Sequence, residues 1–566
     1  MKRISIIFSL LLLPAVLLRA QVRILEEGNT VSLSNPIVSI SFDKNNADLN
    51  KIIYKGKSLL NGKDQRGYLL GPGFSMYPSV FKVIRSSEAL VELSFYHEAS
   101  NHFQYDLRYI LRANDPGIYC YLVQTHRAAD SVGNFGQTRW GIRSDEALFD
   151  YHLVRDSIQG PMPKMAELKE EIQDWTFKMA DGRIYTKYNY ADYIEGRHVH
   201  GMAGQQSGLG LFTIQASHEY LNGGPTKQYQ NVHSNPYLIN MFNCGHFLSD
   251  KRKGDNLITD DWTKLNGPFF LYFNEGKSIN DIWADAKKRA AEEISQWPYE
   301  WMQHEAYPLE RGSVSGIVLS EGKPVANAMV ILAAPDFDWQ AQSRGYQYYT
   351  RSGADGRFVV EKVRPGSYTL YMYGNNTTTD YRKDKITVGE GMTTMLGKIN
   401  WPVSTGKHVL WQIGVADRKT SGFRLADRPR DYSLFKLPPE NLKFFPGIQL
   451  DSDWYYAQTK RGSWDIHFTL ERAYKDTATL TVGIAGSAKN PAWEVWLNER
   501  KLGVWQFGND ASVYRSAVAG GYYVKQEIRF PAGEFREGEN IISFRLPDVK
   551  DGGGIMYDVI KLEVKQ

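Results

Sequence analysis

The run Tyr105-Asp-Leu-Arg-Tyr-Ile-Leu-Arg112, the link Ala113-Asn-Asp-Pro116 and the run Gly117-Ile-Tyr-Cys-Tyr-Leu-Val-Gln-Thr125 decide the fold class. Aromatic and branched side chains fill both runs. The link holds turn formers: Asn and Asp bond their own backbone, and Pro presets φ. Two neighbouring antiparallel strands are the predicted outcome. The same texture continues outward, with Val38–Phe42 and Val91–Phe95 alternating and short runs from Val22 to Gly276 broken by Gly, Asn and Asp. About 250 residues of this pattern predict one large antiparallel β-sandwich. A single helix is predicted from Ser278 to Gln296. Ile282, Ala286, Ala290 and Ile294 recur in it every fourth residue, and Pro298 stops it. It closes the first domain.

Beyond it the pattern changes. Ser313–Val318, Ala328–Leu332, Phe358–Val360 and Tyr368–Tyr371 read as strands, with turns at Asp355-Gly356 and Arg364-Pro-Gly366. They predict a small sandwich without a cluster of titratable groups, a spacer or packing unit. From Trp401 the runs Trp464–Phe468, Ala478–Ala485, Trp493–Leu497, Ile541–Leu546 and Val559–Val564 alternate like a jelly roll. The chain is therefore read as all-β and multidomain: 21–305 a catalytic sandwich, 306–400 a small sandwich, 401–566 a jelly roll. Its 566 residues are too many for one core, and about three domains is the expected number.

Residues 1–20 read as a secretory signal peptide: Lys2 and Arg3 precede the apolar run Ile4 to Leu18, too short to span a membrane. The expected location is outside the cell or periplasmic. With 67 basic and 63 acidic residues the net charge is +4, which gives no basic surface for nucleic acid. No second apolar run suggests a membrane segment, and a soluble monomer is expected. Cys120 and Cys244, the two cysteines, form no disulfide framework.

Chemistry concentrates between Ile184 and His246. Ile-Tyr-Thr-Lys-Tyr-Asn-Tyr (184–190), His-Val-His-Gly-Met (198–202), Asn-Gly-Gly-Pro-Thr-Lys-Gln (222–228) and Asn-Met-Phe-Asn-Cys-Gly-His (240–246) repeat lysine, histidine and tyrosine among glycines. Read as a strand, 184–190 places Lys187 on one face with Tyr185 and Asn189. A cation-bearing face is costly in a sandwich core unless ligand or solvent meets it. His198 and His200 share a face at a spacing that can bind metal, but no third ligand stands beside them, and no metal or other cofactor is expected.

The three-unit order, Lys187 within Thr-Lys-Tyr, the segment 222–228 and Gly245-His246 resemble the rhamnogalacturonan endolyases of polysaccharide lyase family 4. Ala354–Phe358 and Val363–Tyr368 resemble that family's fibronectin-III-like domain, and Trp411–Arg418 the start of its carbohydrate-binding-like domain. The resemblance implies β-elimination on rhamnogalacturonan I, with Lys187 as base and His246 as its partner. A carboxylate makes the adjacent C–H a poor acid, so cations must neutralise it. Arg139, Arg143, Arg197 and Lys227 are the expected neighbours and carboxylate holders, with Tyr188 and His200 lining the cleft. A lysine with pKa near ~10.4 is under ~0.1% neutral at pH 7, so burial or neighbouring cations must lower that value. A non-catalytic pectin-binding protein and a carboxylate-pair glycoside hydrolase are the competing readings.

Overall fold

The computed structural model describes residues 21–566 except 72–73, 135, 245–256, 336–337, 375, 404–405, 429–430, 516, 518–519 and 566. The proposed signal peptide and His246 therefore lie outside the described residues. Gln104–Arg112 and Gly117–His126 pair antiparallel, with Leu107 opposite Leu122. They lie inside a nine-stranded sheet that packs against an eleven-stranded one. Alternation shows how this hairpin is used. Ile118, Cys120 and Leu122 point into the core between the sheets. Tyr119, Tyr121 and Val123 point the other way into a second core. A strand covered on both faces has no polar side, hence its nearly continuous apolar run.

The helix Ile279–Gln296 builds that second core. Ser278 caps it, accepting from Asp281 N at 3.2 Å, a contact worth about 1 kcal/mol. Ile282, Trp283, Ala286 and Ala290 are its buried face. Glu293 is buried too, taken up by the hydroxyls of Tyr119 and Tyr299 and by Arg289. Cys120 and Cys244 are both buried, and neither is in a disulfide. No helix among the described residues is long and apolar enough to cross a membrane.

The segment after the helix forms two four-stranded sheets around Val314, Val330, Phe358 and Leu370. The last segment forms two five-stranded sheets around Trp454, Trp464, Trp493 and Tyr557. The first two units are locked by a buried carboxylate. Glu219 receives Arg311 at 2.6 Å, Arg364 at 2.8 Å and the Tyr348 hydroxyl at 2.9 Å. The third unit touches both of the others: Gln340 of the middle unit accepts from Tyr523 N at 3.0 Å, and Gln173 of the first donates to Tyr514 O at 3.1 Å.

Candidate active site

A small three-stranded sheet, Leu168–Gln173, Thr176–Met179 and Ile184–Thr186, stands on the first unit. Its first hairpin turns through Asp174 and Trp175, with Gln173 opposite Thr176. Both turn residues have positive φ, 31° and 57°. Two-residue hairpins with that twist normally use Asn-Gly, so Asp-Trp is costly here and the site rather than the turn accounts for it.

The expected strand over 184–190 is corrected. It ends at Thr186, and Lys187–Tyr190 form a turn of 3-10 helix. The Thr186 hydroxyl bonds Thr176 at 2.8 Å and accepts from Tyr188 N at 3.3 Å, offering the backbone a cap in place of the ladder. The alternation argument for Tyr185 and Asn189 beside Lys187 fails with the strand. Tyr185 instead turns inward, accepting from Ser234 N at 2.7 Å and reaching His152 Nε2 at 3.1 Å. Burial holds His152 neutral, its pKa pushed down to about 3. Tyr190 stacks on that imidazole at 3.6 Å. The helical turn thus rests on a rigid aromatic floor.

Lys187 projects from it and is 7% exposed. Its Nζ donates to Asp174 Oδ1 at 2.7 Å. The other carboxylate oxygen receives the Tyr188 hydroxyl and, at 3.1 Å, Arg515 from the third unit. Burial pushes the lysine amine below its ordinary pKa; Asp174 opposes this, while Arg139 and Arg515 add to it. Burial alone would raise the Asp174 carboxyl, but Lys187, Tyr188 and Arg515 outweigh it and hold it below the usual range.

Arg139 and Arg143 leave the strand Thr138–Arg143 on one face, with Gly141 between them. A Cβ on Gly141 would meet the Tyr237 hydroxyl at 2.2 Å, so glycine admits that ring between the two arginines. Arg143 lies over the ring at 5.3 Å. A line of rings continues from it, with His233 5.0 Å from Tyr237 and Trp175 4.7 Å from His233. Tyr68 also stacks on Tyr237, at 6.1 Å. Cations beside aromatic faces suit an acidic sugar: rings take the apolar sugar face and arginines the carboxylate.

The middle unit matches the model of polysaccharide lyase family 4, domain II, over residues 310–396. The third matches polysaccharide lyase family 4, domain III, over residues 409–562. A rhamnogalacturonate lyase of Dickeya dadantii (strain 3937) is 31% identical, the match covering 96% of this chain and 94% of that protein. This chain belongs to polysaccharide lyase family 4. Rhamnogalacturonate lyase B of Emericella nidulans is 22% identical over the full length of both chains. A probable rhamnogalacturonate lyase B of Aspergillus flavus is 22% identical over 93% of each.

In this family 4 lyase the other expected residues separate. Tyr188 is buried beneath Asp174 and packs on Ala517 of the third unit, holding the site rather than lining its surface. Lys227 is buried, its pKa lowered by burial to about 8, a fall that Cys244, Asp510 and Asp338 oppose. His200 is a correction: it sits in the core, its Nε2 on Ile239 O at 2.8 Å and its Nδ1 on Thr213 at 3.2 Å. Neither ring nitrogen is left for a substrate. Arg197 is another. It pairs with buried Asp192 at 3.3 Å and lines a cavity of about 540 Å³ with Arg155, His198 and Trp283. That cavity shares no lining residue with the Lys187 cluster. Asp174, Trp175, His233, Tyr237 and Arg515 belong to the site and were not foreseen. The Asp-Trp turn carried a local signal, a charged residue beside an aromatic at a hairpin tip. Arg515 carried none.

Proposed function

We propose that this polysaccharide lyase cleaves the rhamnose-(1→4)-galacturonate bond of rhamnogalacturonan I by β-elimination. The observation that carries the reading is Lys187, a buried amine whose pKa burial lowers, set beside a face that bears Arg139, Arg143 and a line of rings. In the reaction the arginines neutralise the uronate carboxylate, which acidifies the proton on C5. Neutral Lys187 takes that proton. The C5–H electron pair forms the C4=C5 double bond, and the C4–O bond breaks with its electrons on the leaving rhamnose oxygen. His246, the partner that the resemblance supplies, protonates that oxygen or orients the sugar.

The test is ultraviolet absorbance of the digest. Unsaturated uronate should accumulate on de-branched rhamnogalacturonan I and stay flat on homogalacturonan. Equal rates on both polymers would sink the substrate assignment, and cleavage without absorbance would favour a hydrolase. Supported by Lys2, Arg3 and the apolar run after them, we also read the enzyme as exported to the periplasm or medium. It acts there as a single chain. The N-terminal sequence and the sedimentation mass of the secreted protein check both.

A further inference from the structure

We infer that Asp174 and Arg515 are positioning residues that together set the charge state of Lys187, so that the third unit regulates the base across the domain interface. The inference rests on Lys187 being the base of the proposed reaction. Its foundation is geometric. One carboxylate, at the tip of a two-residue hairpin, takes Lys187 on one oxygen and Tyr188 and Arg515 on the other. Arg515 also lies over the Tyr188 ring at 5.5 Å, and Gln173, one residue before Asp174, donates to Tyr514 O at 3.1 Å. The hairpin tip is thus held from the third unit at two adjacent positions.

A base must shed its proton, and a carboxylate at 2.7 Å opposes that. Sharing the carboxylate with a second cationic side chain weakens its hold. Asp174 and Arg515 therefore act on Lys187 in opposite senses. The other groups facing the amine, among the described residues, are Tyr188 on its own turn, Arg139 from the strand Thr138–Arg143, His233 and Cys244. Burial, and next to it Lys187, push His233 well below the ordinary histidine value. Burial pushes the Cys244 thiol up to about 11. Both stay neutral over the working range, so the Asp174–Arg515 balance is the adjustable part. Asp174 is 37% exposed in its side chain, so it can be changed without opening a core.

The experiment is the pH profile of kcat/KM on rhamnogalacturonan I for the full chain and its Asp174→Asn, Arg515→Gln, Arg515→Lys and Lys187→Ala variants. The acid limb should move to lower pH in Asp174→Asn, to higher pH in Arg515→Gln, and stay close to wild type in Arg515→Lys. One pH unit below the wild-type limb, Asp174→Asn should retain on the order of tenfold more of its own plateau rate, and Arg515→Gln on the order of tenfold less. A merely structural role lowers plateaus and leaves the limbs in place. Limbs that do not move, or that move together, overturn the inference while an inactive Lys187→Ala leaves the base assignment standing. Turnover surviving in Lys187→Ala overturns that assignment and this inference with it. Should Arg515→Gln fail to fold, Asp174→Asn alone decides: a shift to lower pH supports the inference, and an unmoved limb overturns it.

Discussion

Lys187 and Lys264 are both lysines of the first unit, both buried, and only one stands where chemistry can occur. Lys264, 2% exposed, donates to Ser343 O at 2.7 Å beneath the Tyr346 ring. Burial brings its pKa down to about 7, with Arg364 adding to the fall and Glu219 opposing it. By displacement alone it is the better general base, because a pKa near the working pH is what a base needs. Yet it is sealed between the first and middle units, with its partner a carbonyl of the chain itself. Lys187 keeps a carboxylate partner at a partly exposed hairpin tip, beside arginines and rings. The contrast teaches that a displaced pKa marks a buried group, and that access and partners make it a site.

The largest expected effect separates the two lysines outright. Lys187→Ala should lose on the order of 10²–10⁴-fold in turnover while still binding polysaccharide, because a base acts in the transition state more than in the bound state. Lys187→Arg should fail as well, since guanidinium stays protonated at any working pH. Lys264→Met should leave kcat/KM near the wild-type value. If Lys264→Met were the inactive variant, the comparison would be reversed. Near-wild-type turnover by Lys187→Arg would make that lysine an electrostatic clamp.

A smaller effect tests the rings beside the amine. Trp175 is fixed by Nε1 donating to the Ser234 hydroxyl at 3.0 Å, with its ring against His233. If it stacks on a sugar, Trp175→Ala should raise KM on the order of tenfold, about 1.4 kcal/mol, and change kcat little. Trp175→Phe should keep most of the affinity and shows whether the hairpin tolerates the change. Unaltered KM in Trp175→Ala would remove the ring from the substrate path.

Much of this was legible in the chain. Gly117–His126 is buried on both faces, which produces a continuous apolar run, and such runs beside turn formers announce strands. The helix announced itself through Ser278, Ala286 and Ala290. Lys187 was marked by the family resemblance, and Arg139 and Arg143 by the need for cations beside a base and a uronate carboxylate. The local form of 184–190 did not, because a threonine hydroxyl at Thr186 decided it, and hydroxyl geometry has no period. His200 misled because a histidine that satisfies a core carbonyl looks the same in sequence as one that waits for substrate. Arg515 was illegible for a different reason: its partner lies in another unit, and tertiary pairing over that separation leaves no trace in composition or spacing.

The last prediction turns to what Lys264 does for the fold. Its folded pKa, about 7, lies below the unfolded value of ~10.4. Between those limits the unfolded chain carries the proton and the folded chain does not, so stability from this group rises with pH across the window. The slope is at most ~1.4 kcal/mol per pH unit. Below about pH 7 both states are protonated, and the penalty for burying the charge is complete and constant. Lys264→Met removes the titration and leaves the Glu219, Arg311 and Arg364 cluster in place. The wild type should therefore gain stability relative to Lys264→Met between pH 7 and pH 9.5, as measured by urea unfolding at both values. Taking the difference between the two chains cancels every other titrating group they share. Parallel stability curves would mean that Lys264 stays protonated throughout, held by the Ser343 carbonyl. Lys264 would then be an ordinary buried cation, and Lys187 the more displaced of the two.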